Sequence, residues 1–237
     1  MISELERVLG LGEGELLQFT DLVAASGVTD ADDDVSNATV KEWVRQVRTD
    51  WDMPRDDAFT VDLNLLRVTV HDPQTRSYSI EQVVRCELTG ARRVPLLLRR
   101  PGGSDGGPLP DLRAVSGCTV GRVSRDLLAG LPIGAVELLM PRPLEVGESW
   151  RFEVETKWVY SCSDAFQIMT SSPRVRLSIL QVIFDWDPAI ISVGRGRMVH
   201  VEFVETSGET TSPLGSRSAT VDIQGTEYNA AKILWGG

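Results

Sequence analysis

The side chains best suited to covalent or acid–base chemistry in this 237-residue chain are three cysteines and two histidines. Cys86, Cys118 and Cys162 lie far apart without a CxxC pair, and His71 and His200 show neither HxH nor HxxxH spacing. Structural zinc sites usually have paired ligands at short spacing. The sequence therefore predicts no metal site and no cofactor.

Cys162 has the most suggestive surroundings, because Asp164 follows it in the segment YSCSDAF at 160–166. A reactive thiolate needs an electropositive setting, and a neighbouring carboxylate disfavours it. Two interpretations stay open. Cys162 is either a small buried hydrophobic residue at a strand end, or the nucleophile of a small-molecule enzyme in which the fold brings Asp164 and His71 or His200 beside it.

Aromatic side chains suggest a different chemistry, the binding of a ligand in an apolar pocket. The candidates to line such a pocket are Trp150, Trp158, Tyr160, Cys162 and Trp186. The alternative is that these side chains fill the ~10 Å between two packed sheets, which also requires large residues. The sequence leaves both interpretations open.

The segment GRGR at 194–197 contains two arginines that could hold an anion. No helix pattern follows it, so it does not match a dinucleotide-binding fingerprint. A hairpin turn is the favoured interpretation.

An amphipathic helix is predicted over residues 39–51, because apolar side chains recur there at helical spacing: Val40, Trp43, Val44, Val47 and Trp51. Thr39 with Glu42 matches a capping box at its start, and Pro54 is placed to end it. The stripe formed by Trp43, Val47 and Trp51 either anchors the helix to the core or provides an interface.

From about residue 60 the apolar period changes to two, which is typical of half-buried strands. About nine or ten short strands, separated by turns rich in glycine and proline, are predicted from there to the end of the chain. The segment RVPLLLRR at 93–100 is predicted at a sheet edge because of its internal proline. A change of parity near Ile179 predicts a β-bulge.

These patterns favour a mainly β fold, an antiparallel β-sandwich of the immunoglobulin-like or jelly-roll-like kind with a small α-helical N-terminal arm. The arm is predicted over residues 1–58, with two short helices in 1–27 and a polar linker at 28–38. The sandwich is predicted over residues 59–237. The composition, 42% hydrophobic and 24% charged, is that of an ordinary globular protein.

The charge is concentrated at the start of the chain. Of a net charge of -10, most comes from residues 1–60, which hold 14 acidic against 5 basic side chains. A nucleic-acid surface needs a basic stripe, so no direct nucleic-acid contact is expected. An odd number of cysteines without an apolar leader favours the cytoplasm, and no apolar run approaches the ~18 residues of a membrane span.

Several segments together resemble actinobacterial XRE (Cro-type) helix-turn-helix regulators. LERVLGLGEGELL at 5–17 resembles the closing helices of their DNA-binding domain. Three further segments resemble their C-terminal, effector-like domain: LLMPRPLEVGESWRFEVE at 138–155, ILQVIFD at 179–185 and YNAAKILWGG at 228–237. The family's recognition helix would precede residue 5, so only the last helices of that domain are expected here.

The resemblance implies a regulatory module of an XRE-type transcriptional regulator that senses a small ligand or pairs with a partner protein or a second copy, and it implies no catalytic residues. The predicted function is therefore non-enzymatic, in a cytoplasmic homodimer or hetero-complex. Two alternatives stay open: the small-molecule pathway enzyme built on Cys162 and Asp164, and a structural or assembly protein made of β-sandwiches.

Overall fold

Paired β-strands dominate the chain, which confirms the predicted mainly β class. The computed structural model describes residues 33–54, 58–72, 74–99, 109, 111–128, 131–159, 166–171, 175–199, 202–205, 210–211, 216–224 and 229–236. These ranges contain one helix and fourteen strands. The two short helices predicted within residues 1–27 lie outside the described residues.

The helix is α1 (Asp33–Asp50). The strands are, in chain order, β1 (Phe59–Asp72), β2 (Thr75–Cys86), β3 (Ala91–Arg99), β4 (Leu112–Ser116), β5 (Thr119–Leu128), β6 (Leu131–Leu144), β7 (Ser149–Val159), β8 (Phe166–Thr170), β9 (Leu177–Phe184), β10 (Ile190–Val199), β11 (Glu202–Glu205), β12 (Thr210–Thr211), β13 (Ser218–Gln224) and β14 (Ala230–Gly236).

The strands form three sheets. The large sheet has the order β13-β9-β1-β2-β7-β4. The C-terminal sheet has the order β11-β10-β14-β8, with β12 also paired to β10, and the three-stranded sheet has the order β3-β6-β5. The pairing of β1 with β9 is parallel, whereas the other pairs of these strands are antiparallel.

One face of the large sheet is buried against both smaller sheets. At one end, side chains of β1, β9 and β13 form a core with β10 and β14 of the C-terminal sheet. At the other end, side chains of β2 and β7 form a second core with β3 and β6 of the three-stranded sheet. Ile80 packs against both cores, so they adjoin on the same face. Each fully buried aliphatic side chain contributes about 1.5–3 kcal/mol.

Period-two alternation places the remaining side chains of the large sheet on its opposite, outer face. In β1 the buried positions are Leu66, Val68 and Val70, so Arg67 and Thr69 point outward. A register shift between Val61 and Leu63 changes the parity of β1 near its start. The outer face is consequently polar along the middle of the sheet.

Helix α1 begins at Asp33, six residues before the predicted start. The capping-box prediction at Thr39 and Glu42 is therefore wrong, as is the assignment of residues 33–38 to a linker. The helix ends at Asp50, close to the predicted end, and Asp52 then turns the chain with a φ of 49°. Periodicity located the helix body, but it did not locate its first turns because they are acidic and polar.

The helix packs onto the three-stranded sheet. Val47 and Trp51 are buried against Ala135 of β6. The Arg122 guanidinium lies 5.4 Å from the centre of the Trp51 ring, and Arg93 donates a 2.7 Å hydrogen bond to the Trp51 carbonyl. Arg122 donates to the same carbonyl. Cations thus satisfy a carbonyl at the helix C-terminus, where the helix dipole favours them.

Glu137 of β6 holds these two arginines in place. Its carboxylate is 4% exposed and accepts a 2.7 Å hydrogen bond from Arg122, with the Arg93 guanidinium 3.8 Å away. The Arg122 hydrogen bond lowers the pKa of Glu137 below its ordinary 4.5, against the opposing effect of burial. The ion pair therefore connects β6, β5, β3 and the end of α1.

Other sequence predictions have mixed outcomes. Pro95 does lie on an edge strand, since β3 ends the three-stranded sheet. The GRGR hairpin turn is wrong: residues 194–197 lie inside β10, where Arg195 is bonded to Asp222 of β13 at 2.6 Å. The β-bulge near Ile179 is also wrong, because β9 pairs without a register shift and alternates regularly.

Residues 112–128 form two strands, β4 and β5, separated by a turn at Gly117. Gly117 has a φ of 71°, and a Cβ there would lie 2.0 Å from the Arg151 carbonyl oxygen. Only glycine fits this close approach of two backbones.

Glu137→Gln is expected to lower the free energy of unfolding by about 1–3 kcal/mol, because it removes the charge from a buried, hydrogen-bonded carboxylate. A carboxyl with a lowered folded pKa stabilises the protein above its unfolded value of 4.5 and loses that contribution as the pH falls through the folded pKa. Urea unfolding at pH 7 and at successively lower pH below 4.5 measures both effects.

The difference between wild type and Glu137→Gln should therefore shrink as the medium becomes acidic. Glu155→Gln is the control, since its partner Arg113 is mostly exposed and the change should cost under ~1 kcal/mol. Equal costs for the two variants would contradict the role assigned to Glu137.

Candidate functional site

A polar groove crosses the outer face of the large sheet. It has a volume of about 420 Å³, within the range of small-molecule sites. It spans β1, β2, β7 and β4, which are neighbours in the sheet. Its lining includes Arg67, Thr69, Ser77, Ser79, Arg113 and Lys157.

Strand register arranges these side chains in rows. Thr69 pairs with Ser77, and Ser77 pairs with Lys157, so the three form one row across β1, β2 and β7. Directly opposite residues on one face have Cβ atoms about 4.5–5.5 Å apart. In the next row Arg67 pairs with Ser79, which pairs with Glu155 on β7.

The cationic side chains of the groove differ in whether they already bond to neighbouring side chains. Arg113 donates a 2.5 Å hydrogen bond to Glu155, and Arg67 donates a 3.0 Å hydrogen bond to Gln181. The Lys157 side chain is exposed and forms no ion pair or hydrogen bond with any residue that the structure describes. Lys157 is therefore the cation most available to a bound anion.

A chain of hydrogen bonds lies at one end of the groove. His71 Nδ1 is 2.6 Å from Asp185 Oδ2, and His71 Nε2 is 2.8 Å from Ser77 Oγ. His71 is the penultimate residue of β1, and Asp185 directly follows β9. The parallel register of Val70 with Phe184 and the backbone bond from Asp185 N to Val70 O set the two side chains beside each other.

The chemistry of the partners sets the direction of these hydrogen bonds. An ionised carboxylate only accepts, so His71 Nδ1–H donates to Asp185. In the neutral imidazole Nε2 then carries the lone pair and accepts from the Ser77 hydroxyl. The order Ser77–His71–Asp185 is that of a nucleophile, a base and an orienting acid. The His71 side chain is 34% exposed, so solvent and solutes reach it.

The predicted aromatic pocket is not assembled by its described members. Trp150 packs against the second core and donates a 2.7 Å hydrogen bond to the Gly117 carbonyl. Trp186 packs against the first core, with its ring 5.6 Å from that of Phe184. The two tryptophans therefore pack against separate cores, as in the core-filling alternative, and the ligand pocket of the whole set stays a prediction.

The other pocket candidates cannot be placed in this way. The backbone of Trp158 lies in β7 opposite Arg76, but its side chain lies outside the described residues. Tyr160 and Cys162 lie outside them as well, as do Asp164 and His200. The enzyme hypothesis built on Cys162 and Asp164 stays a prediction.

The predicted interface stripe on the helix packs inside the chain. Val47 is 7% exposed and Trp51 is 9% exposed, and Trp43 packs partly buried against them. Their burial agrees with core anchoring, one of the two interpretations that the sequence left open. Binding of a second copy or of a partner protein stays a prediction, and this stripe does not support it.

The described cysteines lie within the second core. Cys86 is fully buried, and Cys118 packs partly buried at its edge. Burial raises the pKa of the Cys118 thiol above its ordinary 9.0. Within the described ranges, histidine, cysteine and acidic side chains do not gather into a group of three or more that could hold a metal ion.

Sequence reasoning named His71 as a possible partner of Cys162 but missed Ser77, Asp185 and Lys157. Asp185 is 114 positions from His71, and no local spacing signals their contact. The available signal was the alternation itself, which puts Ser77 and His71 on one face of neighbouring strands. Placing Asp185 beside them required knowing that β1 pairs with β9.

Comparisons with known proteins find only weak similarity. No protein-family model matches the sequence, and no curated protein matches it. Among solved structures, an M1 zinc metallopeptidase from Deinococcus radiodurans is 15% identical over 75% of this chain, with a TM-score of 0.39. A two-domain M1 zinc metallopeptidase bound to L-tryptophan is 17% identical over 77% of this chain, with a TM-score of 0.38.

A candidate protease from Parabacteroides distasonis is 10% identical over 77% of this chain, with a TM-score of 0.45. This chain spans 42%, 44% and 41% of the lengths of these three structures. Likenesses at such scores transfer no function. In the described part of the chain, α1 is too polar to cross a membrane.

Cys118 is expected to react with iodoacetamide at least about 10-fold more slowly in the folded protein than in urea, because only the thiolate attacks and burial disfavours it. Peptide mass spectrometry at pH 8 measures the rate at this cysteine, and the unfolded protein is its own control. Equal rates in the two states would contradict the burial described.

Proposed function

We propose that this chain is the ligand-sensing module of a cytoplasmic XRE-type transcriptional regulator. Its ligand is a small hydroxylated organic anion, and its binding site is the groove on the outer face of the large sheet. The observation that carries this proposal is the uncommitted Lys157 beside a row of hydroxyl groups. The regulatory role itself rests on the sequence resemblance.

Charge supports an anionic ligand. The groove contains three cations, of which Arg67 and Arg113 are paired with neighbours, against the carboxylates of Asp111 and Glu155. The residues that line it thus carry one more positive than negative charge, in a chain whose net charge is -10. Charge-assisted hydrogen bonds from Lys or Arg to a carboxylate or phosphate are stronger than neutral ones.

Hydroxyl groups support a ligand that also carries alcohols. Thr69, Ser77 and Ser79 line the floor of the groove. A hydroxyl both donates and accepts, so a row of them can pair with the hydroxyls of a polyol or sugar. Ser77 and Ser79 already donate to His71 and Glu153, but their oxygens can still accept, and an apolar ligand would leave that capacity unused.

Glycerol 3-phosphate is the probe that tests the proposal, with glycerol as its uncharged counterpart. Isothermal titration calorimetry should detect binding of the phosphate ester and none of glycerol. Lys157→Gln should weaken that binding about 3- to 10-fold, because it removes one charge-assisted contact at an exposed site.

Lys232→Gln is the matched control, because it makes the same charge change on β14 of the C-terminal sheet, where Lys232 lies 4.9 Å from the Phe166 ring. It should leave the affinity unchanged. The proposal fails if glycerol 3-phosphate produces no heat at millimolar concentration, or if both lysine variants bind it equally well.

A further inference from the structure

We propose that Ser77, His71 and Asp185 form a hydrolytic acyl-transfer site that acts on small esters entering the groove. This activity goes beyond the proposed ligand sensing and departs from the prediction of a non-enzymatic module. It follows from the geometry of three side chains that no sequence motif brings together.

The distances meet the requirement for an activated serine. A nucleophile and its base must lie within about 2.6–3.2 Å, and Ser77 Oγ is 2.8 Å from His71 Nε2. Ser77 also lines the groove, so its hydroxyl is open to a bound ester. Ser79, two residues along the same strand, donates instead to the Glu153 carboxylate at 2.7 Å and is not bonded to His71.

Asp185 is a positioning residue that acts through His71. Its carboxylate accepts from Nδ1–H at 2.6 Å, which fixes the ring orientation and leaves the Nε2 lone pair directed at Ser77. The same contact favours the imidazolium that forms when Nε2 takes the serine proton. The Asp185 side chain is 54% exposed, so water screens this contact and its contribution is smaller than in a buried triad.

Lys157 is the group that stabilises the developing negative charge. The Ser77 backbone N–H belongs to a strand paired on both sides, so no backbone oxyanion hole forms there. Lys157 stands directly opposite Ser77 on the same face. A single mobile cation stabilises an oxyanion less than a preorganised pair of donors, so esters with good leaving groups are the expected substrates.

The acylation step balances within these residues and the ester. Ser77 Oγ forms a bond to the carbonyl carbon while its proton passes to His71 Nε2. The tetrahedral intermediate then breaks the bond between that carbon and the alcohol oxygen. The departing alcohol takes the proton from Nε2, which leaves an acyl-Ser77 ester.

Water completes the cycle by the same route. His71 Nε2 takes a proton as the water oxygen attacks the acyl carbon. The bond to Ser77 Oγ then breaks, and Oγ recovers the proton from Nε2. The net reaction is ester plus water to carboxylic acid plus alcohol, with no change of oxidation state.

An alkyl fluorophosphonate probe tests the site directly, because an activated serine displaces its fluoride and keeps the phosphonyl group. Mass spectrometry of the full chain should show one addition, and peptide mapping should place it on Ser77. Ser77→Ala should abolish the addition. Ser79→Ala, the matched control on the same face, should retain it.

Hydrolysis of p-nitrophenyl acetate tests the roles of the other two residues. His71→Gln is expected to lower kcat at least about 100-fold. Asp185→Asn is expected to lower kcat about 10-fold at unchanged KM. The change replaces the carboxylate that accepts the hydrogen bond from His71 Nδ1–H, and it leaves the groove intact. A merely structural role for Asp185 would instead lower the unfolding temperature, which is measured in parallel by circular dichroism.

The proposal is overturned if the wild-type chain takes up no phosphonyl group, if the group maps to another residue, or if Ser77→Ala folds normally and hydrolyses the ester at the wild-type rate. The fluorophosphonate probe carries no charge, so labelling does not require the anion binding proposed above. Failure of glycerol 3-phosphate binding and failure of labelling are thus separate results.

Discussion

The parallel pairing of β1 with β9 at the centre of the large sheet is the constraint on which both the core and the site depend. Its seven paired positions run from Asn64 with Ser178 to Val70 with Phe184. On the inner face this register aligns the buried side chains that meet the C-terminal sheet. One residue beyond the last pair of β1 and β9, the same register places His71 beside Asp185. A shift of one residue would send every side chain to the opposite face and separate these two groups.

Burial of a single face explains why the groove exists. Both smaller sheets pack on the same side of the large sheet, and the groove lies on its other side, across β1, β2, β7 and β4. Polar side chains follow from that exposure, and the antiparallel register then sorts them into rows of hydroxyls and charges. The helix does not reach this face, because Glu137, Arg93 and Arg122 hold its end on the three-stranded sheet.

Alternation predicted the fold class well and the site poorly, for a physical reason. Period two identifies which side chains of a strand share a face, and this predicted half-buried strands from about residue 60. It says nothing about which strands pair, so Ser77 and Asp185 were not connected to His71. Alternation also does not predict how long an element is or where a turn interrupts the chain. The glycines of GRGR suggested a turn at 194–197, whereas the structure accommodates both of them inside β10, with Gly194 close against the Glu205 side chain.

Strand pairing brings Asp185 to Nδ1 and Ser77 to Nε2 of His71. Nitrogen-15 NMR of the imidazole at about pH 9, where an imidazole is neutral, measures which ring nitrogen holds the proton. His200→Gln leaves His71 as the single histidine to observe. The account predicts a proton on Nδ1, with Nε2 unprotonated, and a weakened preference for this tautomer in Asp185→Asn. A proton on Nε2, unaffected by Asp185→Asn, would contradict it.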